Sequence, residues 1–552
     1  MTAIKHMAGT HWSALDDVPV FSGIAAQWPE HPAEPQILAL EVGPKLLVQL
    51  ALPEVSGGME WFQFRSQLLG QGYQISHAVT GERHLLRELN YGGQGQAKQK
   101  VQDAEVDHLI QSSEPVQNFK RIVGELIDIG ASDVHIEVRT DVAAVKVRLH
   151  GVIRHYKSYP RAMVLDALGA AFTVLAEELS RTDAAFNQRL AQAAMIPLAH
   201  RGKAFALRYQ SHPTVGGLDA VLRILHLTQS TEPRSLERLG YLSDQREQLK
   251  LAIASAWGGV FIAGITGSGK TTTLNTMLDM LVRQGGRKIV SIEDPVEYVV
   301  KGVSHLSIQR SHNDTEANNP FMGAMRAFLR LDPDVGMFGE IRDRISGQIA
   351  QSAIETGHKI FTTVHATSAL GIVSRLSSRM IGIDRRTVCS LEFVSALVYQ
   401  VLMPRSCLAC RRPAKQAMSV RDLLEFERVF ELDPETFFCA SDEGCSECHI
   451  PGMEQRAEEG ARLGVAGMTV AAEVVTPDVQ LLQLLADGQD FEARRYRMSK
   501  RTSGFDTPDM AGKDAWGHAL YGVSQGAIDP YFFINTFGYP SAFKNILQAS
   551  RS

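Results

Sequence analysis

One octapeptide constrains this chain more than any other stretch in it: Gly264-Ile265-Thr266-Gly267-Ser268-Gly269-Lys270-Thr271. It has the spacing G-x-x-x-x-G-K-[ST] and lies between the apolar run VFIAGI and the stretch TTTLNTMLDMLV, whose patterns predict a buried strand and a helix. Glycines at these positions let the main chain wrap an anion, so that its N–H groups and the helix N-terminus face negative charge. Thr266, Gly267, Ser268, Gly269, Lys270, Thr271 and Thr272 are therefore candidate contacts for the phosphates of a nucleotide such as ATP. Lys270 supplies a point charge at the β and γ phosphates, and Thr271 an oxygen for Mg2+. A glycine-rich turn that matches by chance is the competing reading, and the flanking strand and helix argue against it.

Three further segments share one design, an apolar strand ending in polar groups. KIVSIE leads into Glu293, Asp294 and Glu297 of SIEDPVEY, and carboxylates just past the carboxyl end of a parallel strand lie on the face where ligands bind. The run DVGMF ends near Glu340, which has the placement of a residue that polarises water for in-line attack on a γ-phosphate. HKIFTTV ends at His365, whose ring both donates and accepts protons and so suits a γ-phosphate sensor. Taken singly, each segment also fits a structural role: a polar loop, a strand end, a satisfied histidine.

The order of buried strands and helices from about residue 240 onward predicts a mostly parallel sheet covered on both faces. Upstream, GASDVHIEV and VAAVKVRLHGVIRHY read as strands joined by a tight turn, and with GKAFALRYQSHP and LDAVLRILHL they predict a small α+β domain. The expected division is an N-terminal domain over 1–105 ending in the linker NYGGQGQAKQK, an α+β domain over 106–232, a phosphate-loop domain over 240–540, and a tail over 541–552. Ala519 to Phe537 is expected to form one terminal helix, and Trp61, Phe62 and Phe64 to be core. With 44% hydrophobic and 21% charged residues, each domain can bury a core. A net charge of −5 without a long basic run argues against a nucleic-acid surface. The opening MTAIKHMAGTHWSALDD lacks the apolar centre of a signal peptide, and no run of 18 or more apolar residues follows, so neither export nor a membrane span is expected.

Four of the six cysteines form two C-x-x-C pairs, Cys407/Cys410 and Cys445/Cys448, within an insertion at about 405–450. Two such pairs supply the four thiolates that Zn2+ accepts in closed structural sites, and the usage suits a reducing compartment. Loss of the metal and redox work are the alternatives. Cys389 and Cys439 have no partner by spacing and read as core or surface residues.

Taken in order, GITGSGKTTT, SIEDPVEY, LRLDPDVGMFGEIRD and ETGHKIFTTVHAT resemble the Walker A, Asp box, atypical Walker B and His box of the secretion ATPase superfamily, in particular the type II secretion and type IV pilus assembly ATPases. GASDVHIEV, RLHGVIRHY and LRYQSHPTVGGLDAVLRIL resemble that family's second N-terminal domain. The resemblance implies an α/β fold: a RecA-like phosphate-loop domain, an upstream PAS-like α+β domain, a zinc-binding insertion and an additional N-terminal domain that docks on a partner or regulates. It also implies a cytoplasmic homo-hexamer that hydrolyses ATP with Mg2+, associates peripherally with the inner membrane through a platform protein, and drives assembly of a pilus or pseudopilus. Carried over by position, Glu297 and Glu340 handle Mg2+ and the attacking water, His365 contacts the γ-phosphate, and Arg208 and Arg223 reach the nucleotide as arginine fingers. The cysteine insertion favours extension over retraction. Direct nucleic-acid binding is not expected.

Three departures from the family pattern stand out. Leu218 occupies the place of a usual acidic residue, SHNDTEANNPF lengthens the connection before Walker B, and Ala366 follows His365 where a threonine is common. The alternative reading is a DNA translocase or conjugation-linked coupling ATPase. Stimulation by single-stranded DNA with steep salt dependence would mark it.

Overall fold

The computed structural model describes residues 11–12, 23–28, 36–56, 58–92, 113–227, 235–308, 320–449 and 462–551. Most of the opening segment, the linker from Gly93 onward and the insertion over 311–319 lie outside them. The chain divides into two compact units, Met1–Glu114 and Pro115–Ser552.

The first unit is a five-stranded sheet of β1 (His11–Trp12), β2 (Gly23–Trp28), β3 (Ile37–Gly43), β4 (Leu46–Ala51) and β5 (Gln74–Gly81), ordered β1-β5-β4-β3-β2. Side chains alternate along a strand, so Ile37 and Ala39 meet Trp61, Phe64 and Leu68 of the helix Met59–Gly70, while Leu38 and Leu40 meet Leu85, Leu86 and Leu89 on the other face. Trp61 and Phe64 are core as expected. Phe62 is not: it falls on the outer side of the same helix and is 59% exposed.

The second unit opens with a six-stranded antiparallel sheet of β6 (Asp133–Val138), β7 (Val142–Leu149), β8 (Val152–Pro160), β9 (Gln192–His200), β10 (Lys203–Thr214) and β11 (Gly217–His226), ordered β8-β7-β6-β11-β10-β9. Val145, Val147, Leu207 and Leu222 on its apolar face pack against Phe119 and Ile122 of the helix Glu114–Asp128 and Val164 and Leu168 of the helix Arg161–Ala170. The opposite face keeps polar groups, as an antiparallel sheet covered on one side allows. The tight turn between β7 and β8 is His150-Gly151, with φ of 48° and 78°. Two left-handed residues in succession match the right-handed twist of the joined strands.

The phosphate-loop domain is built on seven strands, β12 (Gly258–Ala263), β13 (Ile289–Glu293), β14 (Val303–Ser307), β15 (Val335–Phe338), β16 (Lys359–Val364), β17 (Val394–Ser406) and, after a two-stranded ribbon of β18 (Arg412–Pro413) and β19 (Phe438–Cys439), β20 (Val465–Val475). The order is β14-β13-β15-β16-β12-β17-β20, parallel except that β20 runs against β17. β12, β13, β15 and β16 are buried along their whole length because helices cover both faces. Val260 and Ile262 join Leu274, Met277 and Leu281 of the helix Lys270–Gln284 on one side; Phe261 and Ala263 join Ala350 and Ile354 of the helix Arg344–Glu355 on the other. This stacking aims the carboxyl ends of β12, β13, β15 and β16 at one edge.

The cysteine insertion leaves from β17 and returns to β20. Its helix Val420–Phe430 sends Phe426 and Phe430 into an aromatic cluster with Phe505, Trp516, Phe533 and Phe543. The single terminal helix expected over Ala519 to Phe537 is two, Ala515–Ser524 and Pro530–Phe537. Gly526 at φ 63° turns the chain, and Asp529 caps the second helix with Pro530 in its first turn. The residues read as a tail form the helix Lys544–Arg551, with Leu547 packed into the same cluster.

Candidate functional site

A cleft of about 620 Å3 lies between the six-stranded sheet and the carboxyl edge of the seven-stranded one. All the candidate residues other than the cysteines line it: Thr266 to Thr272, Glu293, Asp294, Glu297, Glu340 and His365 from the phosphate-loop domain, and Arg208 and Arg223 from the upstream sheet.

The phosphate loop leaves β12 at Gly264 and turns through Gly267 and Gly269, at φ of 79° and 81°. Only glycine adopts such angles without strain. The loop is held from beneath: buried Gln400 on β17 donates its Nε2 hydrogen to the Ser268 carbonyl at 2.6 Å, and Tyr241 donates its hydroxyl to Gln400 Oε1 at 2.7 Å. A Cβ on Gly264 would come within 2.4 Å of the Gln400 carbonyl oxygen, so loop and strand leave no room for any other residue there. Lys270 Nζ donates to the carbonyls of Gly264 and Ile265 at 2.9 and 3.0 Å. Burial lowers the ammonium's pKa, and the nearby carboxylates of Glu340 and Glu297 oppose that shift. The hydroxyl of Ser268 is buried without a hydrogen-bond partner. Left-handed glycines, a cation bound only to its own loop and an orphaned hydroxyl together make a cradle whose polar groups fit phosphate oxygens.

The carboxylates separate into two kinds. Glu293 is buried; Ser291 donates to it at 2.7 Å, and His305 Nδ1 lies 3.1 Å away. Because the Val300 N–H donates to His305 Nε2 at 2.9 Å, the proton of the neutral ring sits on Nδ1, facing Glu293. Asp294 pairs with Arg342 at 3.5 Å. These two shape the loop after β13. Glu340 and Glu297 are the carboxylates near Lys270, and His365 Nε2 lies 3.3 Å from Glu340 Oε1.

Arg208 and Arg223 face each other across the β10–β11 pairing. Like charges directly opposite are unfavourable unless an anion lies between or beside them. Arg223 has one: its Nε bonds Asp133 at 2.9 Å, and Arg148 approaches the other oxygen of Asp133 at 3.8 Å. Among the described residues no ion pair holds Arg208. Asp133, Gln400 and His305 were not anticipated as contributors. The signal for Gln400 is an amide inside the apolar run VSALVYQVLM, and for Asp133 a carboxylate at a buried position of a strand.

The four cysteines converge as their spacing requires. Cys407 and Cys445, Cys410 and Cys448, and Cys445 and Cys448 stand 3.8 Å apart at sulfur, and all four sulfurs lie within 4.8 Å of one another. A tetrahedron with Zn–S bonds of about 2.3 Å has edges of roughly 3.8 Å, so the set fits zinc, whereas a disulfide needs sulfurs about 2.05 Å apart. The Cys445 thiol is drawn down to about 7 by hydrogen bonds from the backbone of Cys448 and Glu447. Cys389 and Cys439 are buried, and burial pushes them up to about 11 and about 12.

Fold and cleft together define a phosphate-loop ATPase. The sequence model of the family described as "Type II/IV secretion system protein" matches residues 110–488, and the chain belongs to that family. It is 30% identical over 394 residues to the type II secretion system protein E of Pseudomonas aeruginosa, covering 71% of this chain and 73% of the relative. It is also 30% identical over 369 residues to the type IV pilus assembly ATPase PilB of the same organism, covering 66% of this chain and 60% of the relative. Among solved structures it is similar to the Yersinia pseudotuberculosis ATPase DotB, with a TM-score of 0.49 and 19% identity over 76% of this chain and 92% of that one. Among the described residues no helix is long and apolar enough to cross a membrane.

Proposed function

We propose that the chain is a hexameric motor that hydrolyses ATP on the cytoplasmic face of the inner membrane, bound there through a platform protein, to power assembly of a type IV pilus or a pseudopilus for secretion. The observation that carries this reading is the cleft itself, with a phosphate cradle on one wall and two arginines of a separate sheet on the other. The amides of Thr266 to Thr272 and the Lys270 ammonium grip the β and γ phosphates. Thr271 and Glu297 would hold Mg2+, which when bound would supply neutralisation of phosphate charge. Glu340 orients the attacking water and takes its proton; His365, beside it, reports the state of the γ-phosphate. Arg208 and Arg223 neutralise the charge that develops in the transition state, and their position on a separate sheet ties hydrolysis to relative motion of the two walls. Cys407, Cys410, Cys445 and Cys448 would hold a structural zinc, which would supply a cross-link within the insertion. Glu293 and Asp294 set the loop that carries Glu297.

The test is Glu340→Gln in the purified protein and in cells. ATP turnover falls about 10²-fold or more with ATP binding retained, and filament display or secretion is lost with it. Unchanged turnover in that variant would remove the assigned chemistry.

A further inference from the structure

β17 and β20 form a two-stranded ribbon with a different task at each end. Near its middle, Gln400 supports the phosphate loop, and Leu402 and Met468 line the nucleotide cleft. At its far end Ser406 pairs with Val465, and the Cys407 N–H donates to the Gly464 carbonyl at 2.8 Å, so the ribbon runs directly into the cysteine knuckles. The upstream sheet lies along this ribbon. A Cβ on Gly151 would come within 3.0 Å of Met468 Cε, which places the β7–β8 turn against it.

From β8, Arg154 reaches across to the knuckle. It is 7% exposed, Nη2 donates to the Leu463 carbonyl at 3.4 Å, and Nε is buried with no hydrogen-bond partner among the described residues. The group that electrostatically favours its charge, against the burial that opposes it, is Cys448. A guanidinium with one long hydrogen bond and an orphaned nitrogen is costly to bury unless a negative charge lies beside it. Four thiolates around one Zn2+ carry a net charge of about −2, more negative charge than the metal-free cluster holds.

We propose that Arg154 is the counter-charge of the metal-loaded knuckle and thereby a positioning residue, latching the sheet that carries Arg208 and Arg223 over the nucleotide cleft most firmly when the four cysteines hold zinc. The inference rests on the reading of the cysteine cluster as a zinc site. It adds a function for the metal beyond holding its own insertion: zinc loading and closure of the cleft become coupled, because the negative charge that favours Arg154 is largest in the loaded state.

The experiment uses the full chain and compares wild type with Arg154→Gln and Arg154→Lys. Zinc affinity is measured by competition with a chromophoric chelator, and hydrogen exchange is followed over residues 148–156 and 463–469 with zinc present and after its removal. The expected result is an affinity at least about 10-fold weaker in Arg154→Gln and largely restored in Arg154→Lys. Exchange protection of both segments falls on zinc removal in wild type and is already low in zinc-loaded Arg154→Gln. Equal affinities in wild type and Arg154→Gln overturn the proposal while leaving the zinc site intact. Equal weakening in both variants overturns it too, since packing and not charge would then be the contribution. A wild-type chain that binds no zinc removes the underlying reading and this one with it.

Discussion

Two clusters of charge in the second unit contrast in one respect. In the network below the β20 end of the sheet, Arg497, Glu473 and Asp514 are buried and paired with one another, and half-exposed Arg494 adds a second cation 3.2 Å from Asp514. Arg497 lies 3.2 Å from Glu473 and bonds Asp514; Glu473 also accepts the Ala369 N–H at 3.0 Å, and Asp514 accepts Trp516 Nε1 at 3.0 Å. In the cleft the charges converge without saturating one another. Lys270 folds back on its own loop, Arg208 stands opposite Arg223, and Glu340 has His365 as its near neighbour. A saturated network holds structure, because each group has already recovered the cost of leaving water. An unsaturated one of mixed sign, in a cleft, is arranged for a ligand that supplies the missing partners.

That difference can be broken at either side. On the cleft side, Arg208→Gln and Arg223→Gln are each expected to lower ATP turnover about 10³-fold while weakening ATP binding far less, since an arginine finger acts mainly on the transition state. Steady-state turnover set beside equilibrium nucleotide binding checks this, and equal losses in both would contradict it. On the network side, Arg497→Met leaves buried Glu473 without its paired cation and Asp514 with Arg494 alone, and a stability loss of about 3 kcal/mol is expected by denaturant titration. Turnover per folded molecule stays within a few-fold of wild type.

A smaller effect sharpens the same contrast. His518, within the paired region, accepts the Ala472 N–H at Nδ1 at 3.0 Å, and burial lowers its pKa to about 4. Below pH 6.5 the unfolded chain takes up a proton that the native ring refuses, so stability present above that pH is lost as the pH falls from about 6.5 to 4, by about 3 kcal/mol in full. His518→Gln should flatten that slope, read as the change in urea midpoint between pH 7 and pH 5. A slope equal to that of wild type would show that His518 is not its source.

The parts of the molecule that could be read from sequence are those where chemistry and backbone demand the same residues. Gly267 and Gly269 take left-handed angles in the loop proposed to meet phosphate, and two C-x-x-C pairs announce a convergent four-sulfur set whatever lies between them. Strands buried on both faces were legible in β12, β13, β15 and β16 as short runs rich in Val, Ile and Phe. β9, β14 and the β17–β20 ribbon were not. The side chains of β14 are all partly exposed, and β17 and β20 pair across the whole insertion, a contact no local pattern encodes. Supporting residues were illegible for a related reason. Asp133, His305, Gln400 and Arg154 meet partners 12 to 309 positions away, and only the fold brings them together. Phe62 shows the limit of composition: beside two core aromatics, it points outward because a helix presents adjacent residues to different sides.

On the proposed function, the cradle at Gly264 to Thr271 binds the triphosphate through its amides and Lys270. Titration of a fluorescent ATP analogue into wild type and Lys270→Ala, both shown to be folded, tests it most directly. Saturable Mg2+-dependent binding in wild type and a loss of at least about 10-fold in affinity in the variant are predicted; equal affinity in the two proteins would contradict the account.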